Sequence, residues 1–296
     1  MSRLTAKDFP PEVMKLFDQY VHGGISRRIF LESAAKYAVA GMTATGFLAA
    51  LSPKFAEAQQ VKPDDKRIKT SWQEIPSPQG YGKVRGYLVE PANATGKLPV
   101  VLVVHENRGL NPHIEDIARR LALDNFIAFA PDALFPLGGY PGDEEKAVAL
   151  FAKLDQNKTR EDFLAAADWL AKLPQGNGKM GAVGFCYGGG MVNFLATRLP
   201  NLAAAVPFYG TQPSAEDTAK IKSPLLAHYA GNDTRITSGW PKFDEELTAA
   251  GVKHEGYVYP GVEHGFNNDT TPRYDEAAAK LAWQRTIAFL NTNLRG

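Results

Sequence analysis

The sequence predicts an α/β fold, a mostly parallel central sheet with helices on both faces. Three observations predict it. Short apolar runs alternate with helical patterns along most of the chain, the order expected of parallel strands joined by crossover helices. One run, Leu-Pro-Val-Val-Leu-Val-Val at 98–104, is apolar throughout, as a strand covered on both faces must be. Finally, Gly184-Phe185-Cys186-Tyr187-Gly188 stands between an apolar run at 180–183 and a helical segment at 191–198. That is a strand, a sharp turn and a helix, with a nucleophilic side chain at the apex.

Composition bounds the function. The chain has 296 residues, 44% hydrophobic and 22% charged, with a net charge of +1. That suffices for one large domain, and nothing in it points to nucleic acid. Cys186 is the one cysteine, which excludes an internal disulfide framework and a cysteine-based zinc site.

Residues 1–58 read as a leader. Ser26-Arg27-Arg28-Ile29-Phe30-Leu31 resembles the twin-arginine export motif, a weakly apolar stretch follows at 33–51, and Ala56-Glu57-Ala58 has a small-x-small cleavage pattern. Glu32 stands where such signals often have lysine. The expectation is export of the folded chain to a bacterial periplasm, with membrane contact only through the leader. An uncleaved membrane anchor and an amphipathic helix of the mature chain are the alternatives. The leader holds seven Lys/Arg and five Asp/Glu, leaving 26 basic and 27 acidic residues after it.

Residues 59–67 read as a linker and 68–296 as the catalytic domain. Segments 68–75 and 83–90 alternate apolar and polar around a Pro/Gly turn, an antiparallel hairpin at the sheet edge. After the 98–104 strand come a helix at 112–123, a short strand at 126–130 and a loop at 133–142 with three glycines and two prolines. Helices follow at 143–154 and 159–173. Strands are expected at 203–209, 224–230 and 254–259, and helices at 239–250 and 273–291. Sites in parallel sheets form at the carboxyl ends of strands. Glu106, Cys186, Asp233 and His264 each follow a predicted strand directly.

Cys186, Asp233 and His264 stand in the chain order nucleophile, acid, base of the α/β-hydrolase fold. A thiolate attacks the carbonyl, a histidine moves the proton, and a carboxylate orients the histidine. The other histidines compete poorly. His22 lies in the leader, His113 begins a helix, and His228 and His254 lie within strands; His105 is nearer and can line the site.

Together, Gly-Phe-Cys-Tyr-Gly-Gly, Gly-Asn-Asp, His-Gly-Phe and Glu106 after a buried strand resemble the dienelactone hydrolase family over about 68–293. The resemblance implies a hydrolase of a small carboxylic ester or lactone, working without metal or organic cofactor. It also implies that Glu106 contacts the resting thiol and helps convert it to thiolate. The oxyanion hole is expected from the backbone N–H of Tyr187, which follows from the nucleophile's position, and from that of Asn107, by resemblance only. The two arginines that hold a substrate carboxylate in the type member are missing: Pro136 and its neighbours fill one region and Asn268 the other position. The substrate is therefore expected to differ from dienelactone. Arg108 and Arg235 are the cations left to replace them, and Tyr140, Tyr209 and Trp240 are candidate pocket walls. A small-ligand-binding protein and a redox-sensing thiol are the competing readings, although neither requires the whole triad.

Overall fold

The computed structural model describes residues 3–38 and 42–295. Part of the expected leader (1–2 and 39–41) and Gly296 lie outside the described residues. In chain order the helices are α1 (Pro11–Val21), α2 (Arg27–Ala34), α3 (Ala44–Leu51), α4 (Phe55–Ala58), α5 (Pro112–Leu123), α6 (Glu144–Phe151), α7 (Gln156–Ala171), α8 (Tyr187–Arg198), α9 (Ala215–Thr218), α10 (Thr234–Thr237), α11 (Trp240–Ala249) and α12 (Glu276–Arg295). The strands are β1 (Ile68–Ser77), β2 (Gly82–Pro91), β3 (Leu98–Val104), β4 (Ile127–Asp132), β5 (Gly176–Phe185), β6 (Ala204–Phe208), β7 (Leu225–Ala230) and β8 (His254–Tyr259).

The strands form one sheet in the order β1-β2-β4-β3-β5-β6-β7-β8. The β1–β2 hairpin is antiparallel in unbroken register from Ile68↔Pro91 to Ser77↔Gly82, and β2 pairs antiparallel with β4. All remaining pairs are parallel. This is the predicted mostly parallel α/β sheet, and it carries an apolar core on each face. Val100, Leu102 and Val104 of β3 enter one core, while Val101 and Val103 enter the other. That two-sided burial is why the strand is apolar without alternation. α5 begins where expected because Asn111 caps it, accepting from the Ile114 N–H at 3.2 Å, with Pro112 at the first helical position.

The first 58 residues form helices with their own small core. Phe9, Val13, Phe17, Phe30, Phe47 and Leu51 are buried together. The weakly apolar stretch at 33–51 is not one helix, since α2 ends at Ala34 and α3 begins at Ala44. Among the described residues no helix is long and apolar enough to cross a membrane. This helical unit docks on the loop after β8. Lys54 N–H donates to the Thr270 carbonyl at 2.8 Å, and Arg3 donates to the carbonyls of Asp269 and Thr271. Segment 59–67 is held as well, with Val61 buried and the N–H groups of Gln60 and Val61 donating to the Asp116 carboxylate.

Candidate active site

Cys186 follows β5 and opens α8 with φ 56° and ψ −114°. A residue with a side chain pays on the order of 1–3 kcal/mol for such a backbone. The flanking glycines leave room for the turn. A Cβ on Gly184 would lie 2.1 Å from the Gly188 carbonyl oxygen, and one on Gly188 would lie 2.2 Å from that of Val104. The turn carries the thiol past the sheet edge and leaves the Tyr187 N–H in the first helical turn, where the helix offers no acceptor.

Asp233 follows β7, and His264 lies in the turn after β8. His264 Nδ1 donates to Asp233 Oδ2 at 2.5 Å, and both residues are buried. That bond keeps the proton on Nδ1 and leaves Nε2 for the reacting centre. Burial pushes the Cys186 thiol up, but the charge of His264 and hydrogen bonds from His22 and His264 outweigh it, bringing the group down to about 5. Burial opposes the charge on His264, yet the thiolate beside it and the bond to Asp233 raise its pKa. The geometry favours a thiolate–imidazolium pair.

His22, set aside by sequence reasoning as part of the leader, enters this site. Its Nε2 lies 3.5 Å from Cys186 Sγ and 3.3 Å from His264 Nε2. Its Nδ1 donates to the Asp18 carbonyl at 2.7 Å and lies 3.2 Å from the Asp18 carboxylate. The Val21 carbonyl, at the end of α1, accepts from Asn107 Nδ2 at 3.0 Å. The N-terminal helical unit thus seats on the same loop that is expected to supply an oxyanion donor. The one local signal was Asp18 and His22 one helical turn apart; no spacing links them to residue 186.

Glu106 is buried at the end of β3, where Asn268 Nδ2 donates to its Oε2 at 3.1 Å. Among the described residues this carboxylate does not hydrogen-bond the thiol; the imidazoles flank the sulfur instead. Asn268, at the position of a missing arginine, is therefore the group that holds Glu106.

Two cavities adjoin the 105–108 loop. A 270 Å³ pocket is lined by His22, Asn107, Cys186, Tyr187, Tyr209 and His264. A 690 Å³ cavity lies between the N-terminal unit and the domain, with Phe17, Tyr20, Glu106, Arg108, Tyr140 and Arg273 among its walls. Tyr209 and Tyr140 line these cavities, where pocket walls were expected, and Arg108, expected as a replacement cation, lines the larger one. Arg108 is already paired, with Nε 2.6 Å from Glu144, which also accepts from the Tyr140 hydroxyl. Arg235 is half exposed and reaches His22 Nε2 at 3.4 Å.

Trp240 corrects its expectation. It packs on Tyr229, Phe243 and His254 beneath α11 and lines neither cavity. His105 is also structural: its Nε2 accepts from the Ala133 N–H in a fully buried position. His228 packs between Tyr259 and Thr286, as its place in a strand suggested. Arg273 was missed. It is buried, and among the described residues its Nε and Nη1 find no hydrogen-bond partner. It stands nine residues after His264, five beyond Asn268, the position at which the resemblance places an arginine.

The sheet, the strained turn and the acid–histidine pair at the strand ends define a protein of the α/β-hydrolase type. A family model described as the dienelactone hydrolase family matches residues 84–294, and the chain belongs to that family. A second model, YqhI-like, matches residues 1–38. The chain is 35% identical over 261 residues to an Escherichia coli (strain K12) protein provisionally named carboxymethylenebutenolidase, covering 83% of this chain and 94% of that one. It is 52% identical over 114 residues to a provisionally named hydrolase fragment from the same strain, 38% of this chain and 97% of the fragment. A solved Klebsiella pneumoniae structure, provisionally titled a dienelactone hydrolase, is 30% identical with a TM-score of 0.67, over 75% of this chain and 98% of its own.

Proposed function

We propose that this hydrolase cleaves a small carboxylic ester or lactone through an acyl-thioester on Cys186. The observation that carries the reading is the strained Cys186 turn facing a His264 already oriented by Asp233. Sγ attacks the carbonyl carbon, and the oxygen's developing charge is received by the N–H groups of Tyr187 and Asn107. The carbon–oxygen bond to the alcohol then breaks, and His264 Nε2 gives the leaving oxygen its proton. Water, deprotonated by the same nitrogen, attacks the thioester and releases the thiolate. Glu106 lines the 690 Å³ cavity beside the nucleophile loop and is assigned, by resemblance, the conversion of thiol to thiolate; Glu106→Ala is expected to lower kcat more than it raises KM.

Arg273 favours an anionic acyl group. A buried guanidinium whose Nε and Nη1 make no hydrogen bond among the described residues, with the Asp18 carboxylate no nearer than 4.0 Å, is a ready donor to a carboxylate. The test is a panel of short p-nitrophenyl esters, a neutral lactone and a carboxylated lactone, run on the full chain and on residues 59–296. Turnover of the panel is expected, with the carboxylated lactone losing its advantage in Arg273→Met. No turnover of any compound would count against the hydrolase reading, and equal loss across the panel would remove Arg273 from recognition.

We also propose that residues 1–58 direct twin-arginine export to a periplasm. The support is the Ser26–Leu31 motif and the Ala-Glu-Ala at 56–58; the Arg28 side chain is exposed and, among the described residues, paired with Glu32, while Arg27 reaches Glu145 at 3.6 Å. Replacing Arg27 and Arg28 by lysine is expected to move the protein from the periplasmic to the cytoplasmic fraction. An unchanged distribution would sink this assignment.

A further inference from the structure

Two imidazoles and a thiol converge on one point. The ligand atoms of His22, Cys186 and His264 all lie within 4.8 Å of one another. Each imidazole is held from behind. His264 Nδ1 donates to the Asp233 carboxylate, while His22 Nδ1 donates to the Asp18 carbonyl and lies against the Asp18 carboxylate. A carbonyl oxygen can only accept, so the His22 proton sits on Nδ1, and the same holds for His264 against Asp233. In their neutral forms the two Nε2 lone pairs then face each other at 3.3 Å, with sulfur 3.5 Å from one of them. In the thiolate–imidazolium form a proton on one Nε2 fills this contact; a metal cation can take that proton's place, because all three donor atoms converge on it.

We propose that, in the chain that retains residues 1–58, His22, Cys186 and His264 form a three-ligand site for a zinc-class cation, one that clasps the N-terminal helical unit onto the nucleophile and is lost if the chain is cut after Ala58. The spacings fit. Zinc bonds of ordinary length at a tetrahedral angle place two nitrogens about 3.3 Å apart and a nitrogen and sulfur about 3.6 Å apart. The third pair closes with a small turn of the Cys186 side chain. Carboxylates behind metal-bound imidazoles are the usual outer support of such sites. The 270 Å³ pocket beside the trio leaves a fourth position for water. Thiolate and imidazole select zinc, cobalt or copper over magnesium. The competing cation is Arg235, whose Nη2 lies 3.4 Å from His22 Nε2; its half-exposed side chain must swing aside. The single cysteine argued against a cysteine-based zinc site; the proposed site departs from that expectation because two histidines from opposite ends of the chain complete it.

A bound ion occupies the sulfur that would attack and the nitrogen that would carry the proton. Hydrolysis therefore stops while it is bound. That consequence rests on the hydrolase reading, whereas the binding itself does not.

The test uses the full chain after EDTA treatment, titrated separately with Co²⁺, Zn²⁺ and Mg²⁺. Cobalt is expected to bind one per chain and to show thiolate-to-metal charge-transfer absorption that zinc displaces and magnesium does not. Asp18→Asn leaves all three ligands in place and is expected to weaken binding roughly tenfold. His22→Ala is expected to weaken it further, and His22→Cys to restore it with a stronger thiolate band. Zinc inhibition, taken against each variant's own metal-free rate, should follow the same order. Absence of the charge-transfer band in the full chain, or an affinity unchanged in His22→Ala, overturns the proposal. Because absorption reads binding without turnover, an inactive enzyme that still shows the band separates failure of the hydrolase reading from failure of the metal site.

Discussion

Replacing Cys186 with alanine is expected to remove turnover of every compound in the ester and lactone panel. The loss should be on the order of 10⁴-fold or more, because nucleophile, base and acid act as a unit. Cys186→Ser is expected to recover little of it. The surroundings bring the thiol down to about 5, chiefly through the charge of His264 once the opposing cost of burial is met. A serine hydroxyl starts from a far higher pKa, so the same surroundings leave it protonated. Binding of a non-hydrolysable ester analogue should change little in either variant. A serine variant as active as the parent would remove the thiolate from the mechanism. Full affinity for a natural ligand without turnover in the parent would favour a binding protein.

Asp233→Asn is expected to lower kcat by about 10⁴-fold, the scale seen when an amide replaces the acid of such a triad. The amide can donate to His264 Nδ1, which moves the imidazole proton to Nε2 and turns that nitrogen away from base duty. The variant should also show an altered pH profile. In the metal-free parent the thiol is depressed, so thiolate is present above about pH 5 and lost as pH falls through that value. The acid limb of kcat/KM should therefore lie near pH 5. Weakening the His264 imidazolium moves that limb to higher pH. Deleting residues 1–58 removes the His22 hydrogen bond to the sulfur and should move it in the same direction.

Much of this was legible in local chemistry. The 98–104 strand and the helix over 112–123 coincide with β3 and α5 because continuous burial and an Asn-Pro cap are both local signals. The Gly-x-Cys-x-Gly turn was legible because its glycines answer a close backbone approach that no other residue permits. β5 begins at Gly176, earlier than the apolar run, since its first residues are polar at the exposed end of the strand. α9 and α10 were passed over, each being one turn of four residues. The large misses were not local. His22 meets its partners across 164 and 242 residues of chain. Arg273 shows itself only in the folded chain, where its guanidinium lies over Phe17 and 4.0 Å from the Asp18 carboxylate while its Nε and Nη1 make no hydrogen bond among the described residues. Trp240 was a plausible wall by type, yet tertiary packing turned it onto Tyr229 and against the Gly256 backbone.

The central claim is a covalent bond between substrate acyl group and Cys186. The most direct measurement is the intact mass of the metal-free full chain mixed with an excess of an ester whose acyl group leaves slowly, followed by peptide mapping. The predicted result is one added acyl group per chain on the peptide holding Cys186, released by hydroxylamine and absent in Cys186→Ala. Steady turnover of the same ester with no adduct, or an adduct that persists in Cys186→Ala, would contradict the account.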